Sequence, residues 1–178
     1  MDDFAEDPPI EERVGEALRD AGETVAVAES CTGGLIGTLL TAVPGSSAYV
    51  DRALVTYSNE AKQDVLAVSR EALDAHGAVS EPVAREMARG TRDTAGGDWA
   101  ISTTGIAGPG GGTEENPVGT VYVGLSWAEP WGSGESGATV DRYEFDGDRG
   151  EVREQIARQA LDDLLAAVED RNRDGDTQ

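Results

Sequence analysis

The sequence predicts an α/β fold: a layered sandwich with a mixed, mainly parallel sheet of about five strands flanked by helices. Three observations predict it. Short apolar runs rich in Val, Ile and Ala alternate with longer segments of helical periodicity. The last two strand-like runs are separated only by a Gly/Ser-rich turn, so part of the sheet is antiparallel. The length of 178 residues suits one hydrophobic core, and no internal repeat or second domain is visible.

The elements follow in order. Residues 1–9 read as a frayed acidic N-terminus ahead of a single domain over 10–170. Pro8-Pro9 opens a helix with Ile10, Val14, Ala17, Leu18 and Ala21 on one face, ended by Gly22. Thr24–Glu29 is a buried strand, Gly33–Val43 an apolar helix, and Tyr49–Tyr57 a second strand. Ser58 caps a helix from Asn59 to about Val68, Ser69 a short helix, and Ser80 a longer one over Glu81–Thr94. Trp99–Thr103 is a third strand, followed by a glycine-dense loop over Gly105–Asn116. Val118–Trp127 and Ala138–Phe145 are the paired strands. Arg149–Glu169 is the last helix, with Val152, Ile156, Ala160, Leu164 and Val168 as its apolar stripe. The polar tail over 171–178 reads as disordered.

Composition narrows the function. With 35 acidic and 14 basic residues the net charge is −21. Nucleic-acid binding by phosphate neutralisation is disfavoured, because it needs a basic footprint. The acid excess suits a solvated surface adapted to high salt, or an acidic face for a partner. No apolar run reaches membrane-spanning length and no signal peptide opens the chain, so the expected location is the cytoplasm. Cys31 is the sole cysteine and His76 the sole histidine, so no intramolecular disulfide and no His/Cys zinc site can form within one chain. No metal or organic cofactor is expected. A Ser-His-Asp triad would have to use His76, which lies in a turn-like Ala-His-Gly context.

Lys62 is the only lysine; every other cation is arginine. Lysine differs from arginine in that it can lose its proton when buried and act as a base. Three stretches place chemistry at strand ends. In Glu29-Ser30-Cys31-Thr32-Gly33-Gly34 a strand gives way to a helix. Ser30 there reads either as a helix cap or as a nucleophile at the sheet's ligand-binding edge. Cys31 is either a rival nucleophile or a small buried hydrophobe. The helix N-terminal amides, with Gly33 and Gly34 allowing close approach, could hold an oxyanion or a phosphate.

In Thr56-Tyr57-Ser58-Asn59-Glu60-Ala61-Lys62 a second strand ends, which brings Tyr57 and Lys62 to the same edge. Lys62 falls in the first helical turn, where the dipole disfavours its charge, or else it is a surface residue. Thr104-Gly105-Ile106-Ala107-Gly108-Pro109-Gly110-Gly111 is either a phosphate-wrapping loop or a connector. It is neither a P-loop nor a dinucleotide fingerprint. Arg149, opening the last helix, either clamps a phosphate or is an ordinary surface arginine.

Together with Gly77-Ala78-Val79-Ser80-Glu81, Pro117-Val118-Gly119-Thr120-Val121 and Gly147-Asp148-Arg149-x-x-x-Arg153, these motifs resemble the CinA C-terminal domain family from about Glu12 to Ala167. Its characterised enzymes are nicotinamide-mononucleotide amidohydrolases of the PncC type. The resemblance implies a nucleotide substrate deamidated to nicotinic acid mononucleotide and ammonia. It implies Ser30 as nucleophile and Lys62 as its base, with Tyr57 and Thr104 lining the reaction centre. It further implies substrate contacts from Thr32, Gly33, Gly34, Gly105, Gly108, Gly110 and Gly111, and a phosphate contact from Arg149. A homodimer or larger homo-oligomer is implied as well. The alternatives are a non-catalytic nucleotide- or partner-binding module of the same fold, and an amidase for another small carboxamide. Two positions depart from the pattern. Asn116 stands where a lysine is expected, which puts a cationic contact from that loop in doubt. Ala67 stands where a glycine often precedes the valine, which reads as a packing difference.

Overall fold

β1 (Val25–Glu29) is buried along its whole length, as a central strand covered on both faces should be. In this computed structural model, which describes residues 7–175, it pairs in parallel with β2 (Val50–Val55) and β3 (Trp99–Gly105). β4 (Thr120–Trp127) runs antiparallel to β3, and β5 (Gly137–Glu144) antiparallel to β4. The order β2-β1-β3-β4-β5 is the expected mixed five-stranded sheet, parallel in its first half and antiparallel in its second.

Two layers of helix cover the sheet. α1 (Ile10–Ala21), α2 (Leu35–Ala42) and α6 (Arg149–Gly175) share one core cluster with the strands. Val152, Ile156, Leu161 and Leu164 of α6 are fully buried there, each contributing roughly 1.5–3 kcal/mol of burial. α3 (Asn59–Leu66), α4 (Arg70–His76) and α5 (Glu81–Ala95) pack on the other face, around Leu66, Val83 and Met87. A Cβ on Gly90 of α5 would overlap the Leu66 carbonyl oxygen, so only glycine lets α5 seat α3, the helix that carries Lys62, this closely.

The caps divide. Ser58 and Ser69 accept from Ala61 and Ala72 amides, as expected. Ser80 occupies the N-cap of α5, but its hydroxyl donates to the Gly77 carbonyl instead. Two further expectations need correction. The tail expected from Arg171 onward begins inside α6, which continues to Gly175. Arg171 pairs with Glu129 at 2.7 Å and lies over the Trp99 ring, which docks this last part of the helix. Residues 1–6 of the expected frayed start, and 176–178 of the tail, lie outside the described residues.

Ala67 is also more than a packing difference. It ends α3 at φ 55°, the one non-glycine residue with positive φ among those described. The Ala67 amide returns to the Gln63 carbonyl and the Val68 amide to that of Lys62, a left-handed stop that glycine suits best. Ala67→Gly is therefore expected to raise stability by about 0.5–1 kcal/mol, the left-handed penalty less glycine's extra unfolded-state entropy. Urea unfolding at fixed pH measures it; a lower midpoint would contradict the backbone explanation.

Candidate active site

The C-terminal ends of β1, β2 and β3 meet at one edge of the sheet, where parallel strands expose ligand sites. Ser30 directly follows β1. Its amide donates to the Thr103 carbonyl at 3.0 Å, so the strand ladder itself fixes its backbone. Its carbonyl accepts from the Gly33 amide at 3.2 Å, closing a tight turn. Gly33 and Gly34 then take φ 61° and 95°, a reversal that favours glycine. α2 starts only at Leu35, with Gly34 as its N-cap, so Ser30 does not cap it.

Glu29 does that work. Its carboxylate is fully buried and accepts the amides of Gly34, Ile36 and Gly37 at 3.0, 3.1 and 2.9 Å. A negative group in the positive end of the helix dipole is favourable. The expectation that these amides stand ready for an oxyanion or phosphate is thereby overturned. Thr32, Gly33 and Gly34 accordingly stay outside the lining of the cavity beside Ser30. Thr32 is fully buried, its hydroxyl 2.8 Å from that of Thr103 and its carbonyl turned to Arg153.

Lys62 comes from the first turn of α3 and is 1% exposed. Its Nζ lies 3.0 Å from Ser30 Oγ, 2.9 Å from the Thr56 carbonyl and 3.0 Å from the Tyr57 carbonyl. Among the described residues no carboxylate forms an ion pair with it. Burial lowers its pKa. Cys31, by contrast, is a buried thiol whose pKa burial pushes up to about 12, so it stays protonated and un-nucleophilic near neutrality. His76 is exposed at the end of α4 and takes no part in the lining.

The other walls come from three segments. The Thr104 hydroxyl donates to the Ala78 carbonyl at 2.7 Å, pinning the stretch before α5 to β3. Asn116 sends its amide to the Val79 carbonyl at 3.0 Å, so in place of a cation it supplies a tie between the glycine loop and that same stretch. Arg149 donates to the Gly108 carbonyl at 2.6 Å and to the Tyr57 hydroxyl at 3.3 Å. It has no ion pair among the described residues and remains a cation at the mouth.

The resulting cavity is about 240 Å³ and holds Ser30, Tyr57, Lys62, Thr104, Gly105, Gly108, Gly110, Gly111 and Arg149 together. Cys31, Ala78, Val79, Ile106 and Ala107 complete it. It lies below the usual ligand-pocket range of roughly 300–1,000 Å³, a size for one small molecule. Among the described residues no cluster of His, Cys, Asp and Glu could hold a metal ion. No helix among them is long and apolar enough to cross a membrane. Two residues went without a role in the sequence reading: Glu29 and Arg153. The signal for Glu29 was present, a carboxylate ending an otherwise apolar strand just before a chain reversal.

Residues 7–168 match the family profile described as the CinA C-terminal domain. A CinA-like protein of Chloroherpeton thalassium is 58% identical over 127 residues, 71% of this chain and 30% of that protein. Another, from Anaeromyxobacter sp. strain K, is 50% identical over 159 residues, 89% of this chain and 37% of that protein. The chain thus spans about a third of the length of these curated relatives. Among solved structures, the competence/damage inducible protein CihA of Agrobacterium tumefaciens is 40% identical with a TM-score of 0.82, covering 95% of this chain and 99% of that one. A CinA superfamily protein of Klebsiella pneumoniae is 38% identical with a TM-score of 0.82, covering 90% and 96%.

Proposed function

This chain belongs to the CinA C-terminal domain family, and from that premise we propose that it is a serine amidohydrolase acting on a nucleotide carboxamide, nicotinamide mononucleotide in the first place. One observation carries the reading: a buried lysine amine 3.0 Å from a serine hydroxyl, with only backbone carbonyls as its other partners. A neutral amine has two N–H donors and one lone pair. The Thr56 and Tyr57 carbonyls accept two N–H bonds from Nζ, and Ser30 Oγ, the third partner, accepts from the charged form; once the amine is neutral, its lone pair faces the Ser30 proton. Neutrality is supported by burial and by the first-turn position on α3.

In the first half-reaction Lys62 takes the Ser30 proton as Oγ bonds to the carboxamide carbon. Lys62 then returns that proton to the leaving nitrogen, the C–N bond breaks, and ammonia departs. In the second, water attacks the Ser30 ester, giving its proton to Lys62. The ester C–O bond breaks, Ser30 recovers its proton from Lys62, and the acid product leaves as a carboxylate once its remaining proton passes to solvent. Tyr57 and Thr104 shape the reaction centre, and Arg149 at the mouth receives the phosphate.

The test is ammonia release from nicotinamide mononucleotide by the purified chain. High salt suits the assay, because it screens repulsion between a chain of net charge −21 and an anionic substrate. Tight binding without ammonia would instead indicate a binding module. Release only from other small carboxamides would move the substrate and keep the chemistry. If Arg149 receives a phosphate, Arg149→Leu should lower kcat/KM about 10–100-fold, chiefly through KM, since bonds to a charged group contribute about 1.5–3 kcal/mol. An unchanged KM in steady-state assays would remove Arg149 from that role.

A further inference from the structure

We propose that Arg153 is a positioning residue: it holds the turn after Ser30 in the conformation that presents Oγ to Lys62, and so governs turnover rather than substrate affinity. The proposal rests on the reading of Ser30 as the nucleophile.

The contact that motivates it joins one guanidinium to one backbone oxygen by two hydrogen bonds. Arg153 donates from both Nε and Nη2, at 3.1 and 2.6 Å, to one backbone oxygen, that of Thr32. In a chain of 35 acids, Arg52, Arg85, Arg92, Arg142, Arg158 and Arg171 all pair with carboxylates. Among the described residues Arg153 has no such pair; its half-buried guanidinium is directed at an uncharged carbonyl.

That carbonyl is where the turn is most easily lost. Gly33 and Gly34 follow it in left-handed conformations, and glycine backbones rotate at little cost. Rotation of the Thr32–Gly33 peptide plane would carry the Gly33 amide away from the Ser30 carbonyl it now closes on at 3.2 Å. The guanidinium fork opposes that rotation from one side, and the Thr32–Thr103 hydroxyl contact anchors the same residue from the other. One turn earlier on α6, Arg149 holds the Gly108 carbonyl. A single helix therefore ties down both loops that bracket the cavity.

Arg153→Ala and Arg153→Lys test this with two readouts. For the alanine variant kcat should fall about 10–100-fold, with KM within about threefold of wild type, as small misplacements of a reacting group commonly do. The lysine variant should recover part of kcat, because an ammonium can still donate to the Thr32 carbonyl. Reaction of Ser30 with a fluorophosphonate, which forms an Oγ–P bond and releases fluoride, should slow in the same order by intact mass. Thermal melts of all three proteins check that the fold is kept. Unchanged kcat, or a raised KM at constant kcat, overturns the assignment; so does a lysine variant no better than alanine. Wild-type labelling that Arg153→Ala leaves unchanged sinks this proposal alone. A wild-type Ser30 that resists labelling sinks the nucleophile reading and this proposal with it.

Discussion

Replacing Lys62 by methionine is expected to lower turnover on the order of 10²–10⁴-fold, the usual consequence of losing a general base. Methionine keeps most of the buried volume, so the loss would report chemistry rather than collapse of the site. Ser30→Ala should cost at least as much, because the acyl-enzyme can no longer form. The two losses should not multiply in the double variant, since the pair acts as a unit. Cys31→Ser should stay active, because burial keeps the thiol protonated and a serine hydroxyl can keep its hydrogen bond with Thr103. Ammonia release at saturating substrate measures all four. Near-normal activity in Lys62→Met would sink the proposed base.

The pH dependence has a defined sign. The active form of Lys62 is the neutral amine, so kcat/KM should rise with pH through the folded-state pKa, which burial places below the ordinary lysine value. Stability follows the same direction. Between the folded pKa and the unfolded value of about 10.4, the unfolded chain binds a proton that the folded chain does not. Stability therefore rises with pH across that window and levels above it. Lys62→Met should lack this increment in parallel denaturation curves.

The second large effect is structural. Glu29→Ala is expected to destabilise the fold by about 3–5 kcal/mol, because it leaves three N-terminal amides of α2 without their charged acceptor. That is a large share of the roughly 5–15 kcal/mol a domain usually has. Glu29→Gln should lose less, since it keeps the shape and one acceptor oxygen. Denaturant unfolding gives both values. A loss below about 1 kcal/mol for alanine would mean that water replaces the carboxylate at little cost.

How much of this was legible in the sequence depends on the kind of residue. Strands and helices were readable wherever one period dominated, as in Val25–Glu29 and the Val152–Val168 stripe. Lys62 was legible through composition, being the sole lysine, and its helical turn through the Ser58 cap. Ser30 was ambiguous, because a serine before a helix satisfies the capping pattern and the nucleophile pattern equally well. The end of α6 is not legible in the sequence because Arg171 is polar by type, while its partners Glu23, Glu129 and Trp99 come from distant parts of the chain.

By itself, then, the sequence determined the alternation of elements, the acidic surface and the residue types gathered at three strand ends. Periodicity, charge and composition are local properties and need no partner to be read. Only the tertiary structure decided what each of those residues does. The parallel β1 sets Glu29 rather than Ser30 into the amides of α2, and so frees the Ser30 hydroxyl for Lys62. It also turned Arg153 onto the Thr32 carbonyl across 121 residues of chain. Hydrogen-bond assignment between remote groups is a matter of distance and angle in space, and that geometry exists only once the sheet has brought the strand ends together.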